Sequence, residues 1–101
     1  MSRRSRAWDE GLAEDLRSLD FAREFIASLI EEGASLSEAL GTTIRAYGIK
    51  EFAEQVGMPA ANVSRAIRKD WNPSQRVLEQ LLQPFGLRLA VTLSRDGQEA
   101  A

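Results

Sequence analysis

The chain has 101 residues, no cysteine and no histidine, and its 13 basic and 15 acidic side chains leave a formal net charge of −2. That length supports one small domain with a modest core, and the missing residue types exclude disulfide scaffolds, thiolate metal sites, thiol nucleophiles and the commonest general base near neutral pH. No apolar run approaches the ~20 residues of a membrane span and none follows the arginines of MSRRSRAWDE, so a soluble intracellular protein without enzymatic activity or a cofactor is expected.

Residues 1–18 are expected as an N-terminal arm, poorly ordered or folded into a short helical turn with Ala7, Trp8, Leu12 and Leu16. A helical domain is expected over 19–86. In FAREFIASLIEEG, Phe21, Phe25 and Leu29 recur every fourth residue, and Ala22, Ile26 and Ile30 repeat the pattern one position on. Together they make one broad apolar stripe on a helix. Ser18 or Asp20 can cap its start, and Gly33 suits the left-handed residue after its end. Ser35 and Glu38 have the spacing of a capping box; the helix they open turns Leu36, Leu40, Ile44 and Tyr47 inward and closes at Gly48. A third helix, KEFAEQV at 50–56, buries Phe52, Ala53 and Val56 and ends at Gly57. Pro59 lacks a donor and has a fixed φ, so it fits the first turn of a fourth helix at about 59–68 with Val63, Ala66 and Ile67 inward. Asn72-Pro73-Ser74 starts a fifth, carried by Val77, Leu78, Leu81 and Leu82 and stopped by Pro84 and Gly86.

Beyond Gly86 the period changes from helical to alternating. In LRLAVTL, Leu87, Leu89, Val91 and Leu93 alternate with Arg88, Ala90 and Thr92, the pattern of a strand with one buried face. A lone strand cannot satisfy its own donors and acceptors, so 87–93 is expected to pair with a second chain, either a copy of itself or a partner. Residues 94–101 are expected as a flexible tail. The predicted fold class is therefore mainly α, five helices with a short C-terminal β-strand for inter-chain pairing.

Charge is segregated along this plan. Residues 19–40 hold one base (Arg23) against the acids Asp20, Glu24, Glu31, Glu32 and Glu38. Residues 41–76 hold the bases Arg45, Lys50, Arg65, Arg68, Lys69 and Arg76 against Glu51, Glu54 and Asp70. A basic third inside an acidic chain is enough for phosphate contact on one face. The acid pairs Asp9-Glu10, Glu14-Asp15 and Glu31-Glu32 have no His partner or metal-ligand spacing and point to no catalysis. Arg3, Arg4 and Arg6 read as a solvated tail in preference to a minor-groove arm.

Within the basic third, IKEFAEQVGMPAANVSRAI has the requirements of a helix-turn-helix: small Ala53 where two helices cross, Gly57 at the tight turn, and β-branched Val63 six residues later to fix the angle. Residues 50–87, with GMPAANVSRAIRKDWNPS and PFGLRL, resemble the helix-turn-helix domain of lambda-repressor-like (Cro/XRE) regulators. The longer stretch from LRSLDFAREFIASLIEEG onward, about 16–93, is similar to the small addiction-module antidote proteins, HigA-like antitoxins that pair with toxins of the RelE/ParE superfamily.

The resemblance implies a sequence-specific DNA-binding antitoxin that represses its own operon as a homodimer on a palindromic operator and neutralises such a toxin in a bacterial cytoplasm, associated with the nucleoid when on its operator. The second motif helix then lies in the major groove, with Ala60, Ala61, Asn62, Arg65 and Arg68 toward base edges. Asn62 suits adenine, Arg65 suits guanine O6 and N7, and the alanines suit thymine methyls. Ser64, Lys69, Lys50 and the N-terminus of the first motif helix suit phosphate, although Lys69 also suits the helix dipole. Pro59 and the two alanines stand where many relatives carry Gln, Ser or Thr, which shifts specificity toward Asn62, Arg65 and DNA shape. Trp71 reads as an amphipathic plug over the third and fourth helices in preference to a sugar-stacking ring. Leu87, Leu89, Val91 and Leu93 are the dimer or partner strand, whose two-fold pairing sets recognition helices about 34 Å apart. Two other functions fit the same residues, a stand-alone prophage-type regulator without a toxin, and a protein-interaction module that no longer binds DNA.

Overall fold

Local signals set most of the helix boundaries. The computed structural model describes residues 10–68, 70 and 72–94, and these are mainly helical: α1 (10–15), α2 (Leu19–Glu31), α3 (Leu36–Tyr47), α4 (Ile49–Val56), α5 (Ala60–Ala66) and α6 (Gln75–Leu82), followed by a 3-10 turn at Gln83–Phe85. Ser18, not Asp20, caps α2, its hydroxyl accepting from the Phe21 amide at 3.4 Å. The helix ends in a Schellman arrangement, with the Gly33 amide donating to the Ile30 carbonyl and the Ala34 amide to the Leu29 carbonyl, both at 3.0 Å. The capping box of α3 is complete: the Glu38 amide donates to the Ser35 hydroxyl at 3.1 Å and the Ser35 amide to the Glu38 carboxylate at 2.9 Å. Ser74 caps α6 through the Val77 amide at 3.2 Å.

α2 packs on α3, α3 on α4 and α6, and α4 on α5, while the 3-10 turn closes against α2, α4 and α6. Phe52 is fully buried at the middle of this arrangement, edge-on to Tyr47 at 5.8 Å and stacked on Phe85 at 5.5 Å. Burying a side chain of this size contributes about 1.5–3 kcal/mol. The Thr43 hydroxyl, wholly buried, donates to the Ala39 carbonyl at 2.7 Å, so the core carries it without an unmet donor. Two contacts bind the ends of the body together. Leu16, just after α1, is buried in the core, and the Arg17 guanidinium lies 5.3 Å from the Tyr47 ring centre. Arg23 of α2 donates Nε to the Phe85 carbonyl at 2.9 Å across 62 positions of sequence.

Three expectations are corrected. The strand at 87–93 is not formed: among the described residues there is no strand, and 87–94 has no regular secondary structure. A strand is defined by its ladder, and one copy of the chain offers 87–93 no second strand to bond. The alternation survives only in part, with Leu87 and Leu89 half-buried against the core and Val91 and Leu93 exposed at 99% and 82%. The second correction concerns Pro59, which stands before α5 as its N-cap, extended at φ −61° and ψ 141°, and not within the first turn. Its carbonyl accepts from the Asn62 and Val63 amides at 3.0 and 3.1 Å, which starts the helix one residue later than the proline itself. Third, the α2 stripe is broader than the surface that covers it: Ala22 and Ile26 are buried, whereas Phe21, stacked on Phe25 at 6.1 Å, and Ile30 stay exposed.

Arg3, Arg4, Arg6, Ala7, Trp8, Lys69, Trp71 and the tail beyond 94 lie outside the described residues. No helix among the described residues is long and apolar enough to cross a membrane.

Candidate nucleic-acid interface

The turn between α4 and α5 is three residues long and is built on one carbonyl. The Ala53 oxygen accepts from both the Gly57 amide (2.9 Å) and the Met58 amide (3.1 Å), which reverses the chain as α4 ends. Gly57 sits there at φ 72° and ψ 32°, the left-handed conformation that glycine adopts without steric cost. Ala53 is nearly fully buried and Val63 completely so, and α4 packs against α5.

This packing decides what α5 shows to solvent. At 100° per residue, Val63, Ala66 and Ile67 share one arc, and all three are buried. Ala61 and Arg65 fall on the opposite arc one turn apart, with Asn62 on one shoulder and Ser64 and Ala60 on the other. All five are exposed. α5 therefore presents a small apolar pair, an amide, a hydroxyl and a guanidinium on one exposed face, groups of the kind that read base edges. The Arg65 guanidinium has no hydrogen-bond or ion-pair partner among the described residues. Its cation is uncommitted.

Arg68 differs. It follows α5 and is engaged by Asp70, Nε to Oδ1 at 3.2 Å and Nη2 to Oδ2 at 3.0 Å, a two-pronged fork. The bond from Arg68 holds the Asp70 carboxyl below its ordinary pKa of 3.8, reinforced by a backbone hydrogen bond and by the charge of the guanidinium. Arg68 thus reaches a phosphate or a base only by exchanging one anion for another. Lys50 is exposed on α4, on a different helix from the α5 face, and Glu51 beside it places a carboxylate in the first turn of α4, where the free amides were expected to meet phosphate. The structure brings Ala60, Ala61, Asn62, Ser64 and Arg65 together. Arg68, by contrast, is held by Asp70 and is not a free cation there.

Two residues outside the sequence-derived set shape this surface. Arg45 of α3 donates Nη1 to the Ile67 carbonyl at 3.1 Å, meeting the C-terminal end of α5. Gly41, one turn earlier on α3, is buried; a Cβ there would stand 3.0 Å from the Arg45 Nη2 and 3.2 Å from the Ile67 oxygen. Glycine inside a helix costs about 0.5–1 kcal/mol relative to alanine, and here that cost is matched to a close approach between α3 and the end of α5. In the sequence Arg45 shows only as one more positive charge.

No family model, no curated protein and no solved structure matches the chain.

Proposed function

We propose that this chain is a sequence-specific DNA-binding antitoxin of a type II toxin–antitoxin module, built on a lambda-repressor-like helix-turn-helix domain. It represses its own operon as a homodimer on a palindromic operator and neutralises a RelE/ParE-superfamily toxin. The observation that carries the DNA half is the two-sided character of α5. Val63, Ala66 and Ile67 anchor it, while Ala60, Ala61, Asn62, Ser64 and Arg65 stand in solvent on the other side. In this reading Arg65 takes guanine O6 and N7, Asn62 takes adenine, the alanines meet thymine methyls, and Ser64 and Lys50 hold phosphates. The resemblance over 16–93 supports the toxin half, as do the exposed Val91 and Leu93 on a segment whose backbone is available for strand addition.

The test is selection of duplexes from a random-sequence library by the wild-type chain, followed by affinity measurement on the enriched duplex. Enrichment of an inverted repeat is expected, and Arg65→Ala is expected to lose about 1–3 kcal/mol on it, roughly 5- to 150-fold. Failure to enrich any sequence, or an Arg65→Ala variant that binds as tightly as wild type, overturns the DNA half. Co-expression with a small basic protein encoded next to this gene tests the toxin half, which falls if growth arrest by that neighbour is not relieved.

The pairing of Arg68 with Asp70 and the carboxylate of Glu51 in the first turn of α4 favour a second reading, an interaction module whose motif no longer meets DNA. The same selection separates the two.

A further inference from the structure

α5 has seven residues, fewer than an isolated helix needs to persist in water. Neither end carries a side-chain cap or a left-handed closing residue. Pro59 at the N-cap makes no side-chain hydrogen bond, and Ile67 at the C-cap has φ −103°, not the left-handed conformation that closes α4. The turn bonded to the Ala53 carbonyl ties the N-terminal end of α5 to α4, and Val63, Ala66 and Ile67 pack the helix on the body, which leaves its C-terminal end to be held from elsewhere. The C-terminal end is held from α3, where the Arg45 guanidinium meets the Ile67 carbonyl across 22 positions of sequence. Gly41 is what lets it lie there, since a Cβ at 41 would press on both the Arg45 Nη2 and the Ile67 oxygen. A planar fork is suited to this task because its direction is rigid, unlike an ammonium.

We infer that Gly41 and Arg45 form a clamp that sets the angle of α5 on the body, which makes both of them positioning residues for sequence specificity although neither sits on the base-reading face. The inference rests on the DNA-binding reading above. It differs from a phosphate contact by Arg45 in one measurable respect. A phosphate contact supports every sequence equally, whereas an angle matters only where base edges are read.

The experiment compares wild type, Arg45→Gln, Arg45→Lys and Gly41→Ala. It measures binding to the duplex enriched by wild type and to a scrambled duplex of the same composition, together with amide hydrogen exchange across α5. Gly41→Ala keeps every charge of the wild type. It is expected to lower the ratio of enriched to scrambled affinity by about tenfold, one mis-set base contact, with affinity for scrambled DNA unchanged within about twofold. Arg45→Gln is expected to lower the ratio similarly, Arg45→Lys to recover part of it, and the amides of Ile67 and Arg68 to exchange faster in both Gly41→Ala and Arg45→Gln while those of α2 hold. An unchanged ratio in Gly41→Ala overturns the inference. So does a loss in Arg45→Gln that is equal on both duplexes and absent from Gly41→Ala, which marks a phosphate contact. If Arg45→Gln does not fold, Gly41→Ala decides by itself. If wild type enriches no duplex, the DNA-binding reading fails, and the exchange rates alone judge the clamp: unchanged Ile67 and Arg68 amides in Gly41→Ala overturn it.

Discussion

Replacing Asp70 by Asn isolates what Arg68 can do. The carboxylate holds the guanidinium by two hydrogen bonds at 3.2 and 3.0 Å, and both side chains are largely solvated, at 59% and 72% exposure. Asparagine keeps the size and removes the anion, so the fork loses its charged partner. If Arg68 then turns to a DNA phosphate, one more counterion is released per chain, and the slope of log affinity against log salt steepens by about 0.9. Between 50 and 200 mM salt, a slope of that size amounts to roughly 3.5-fold in affinity per chain, and about 12-fold for a dimer. Removing a carboxylate near DNA also relieves repulsion whether or not Arg68 moves. The slope must therefore be measured in a cycle with Arg68→Ala and the double variant, where Asp70→Asn on the Arg68→Ala background reports the repulsion alone. Fluorescence anisotropy titrations on the enriched duplex at four salt concentrations supply the numbers. A slope change that is the same with and without Arg68 refutes the reasoning and removes Arg68 from the DNA-contacting set.

Phe52→Ala, which empties the space between Tyr47 and Phe85, should cost about 3–5 kcal/mol in a urea titration, much of the stability of a domain this small. Ser35→Ala breaks one half of the capping box and should cost about 1 kcal/mol by the same measurement. Val91→Lys combined with Leu93→Lys should abolish self-association in sedimentation velocity with no change in the melting temperature of the monomer, since both side chains are almost wholly exposed. A melting temperature that falls instead would show that the two residues belong to the body. Asp70 has a lowered pKa in the folded state, so its small contribution is present above about pH 3.8 and vanishes as pH falls through the lowered value. With no histidine in the chain, DNA affinity should therefore stay level between pH 6 and 8, and a step in that window would contradict a face built from fixed charges.

Features that depend on residues a few positions apart are legible in the sequence. The capping box of Ser35 and Glu38, the Ser74 cap, the turn at Gly57 and the inward Val63, Ala66 and Ile67 all follow from i to i+4 relations, and the structure has each of them. Mainly helical architecture followed from the same periodicity. Contacts at long sequence separation were not legible. Arg23 and Arg45 read as charges, yet each donates to a backbone carbonyl, 62 and 22 positions away. Leu16 showed no clear periodicity because only one short helix precedes it, and its burial comes from the body it plugs. The Arg68–Asp70 pair was visible as two nearby charges, but which anion an exposed guanidinium holds is settled by geometry. The alternation at 87–93 marks where side chains point and cannot supply the second strand that a ladder needs.

The bond from Arg23 to the Phe85 carbonyl closes the helical body immediately before the chain leaves it. The described residues 88–94 follow that closure, with Leu87 and Leu89 partly buried against the core and the Leu87 amide donating to the Leu82 carbonyl at 3.2 Å. In the function proposed above, a partner that captured this segment would act on the helical body through those two side chains and that bond. Full burial of a leucine is worth about 1.5–3 kcal/mol, so drawing both from the core sets the coupling free energy between this segment and the body on the order of a few kcal/mol. Binding there would be felt first at the 3-10 turn and the end of α6, where the segment leaves the body.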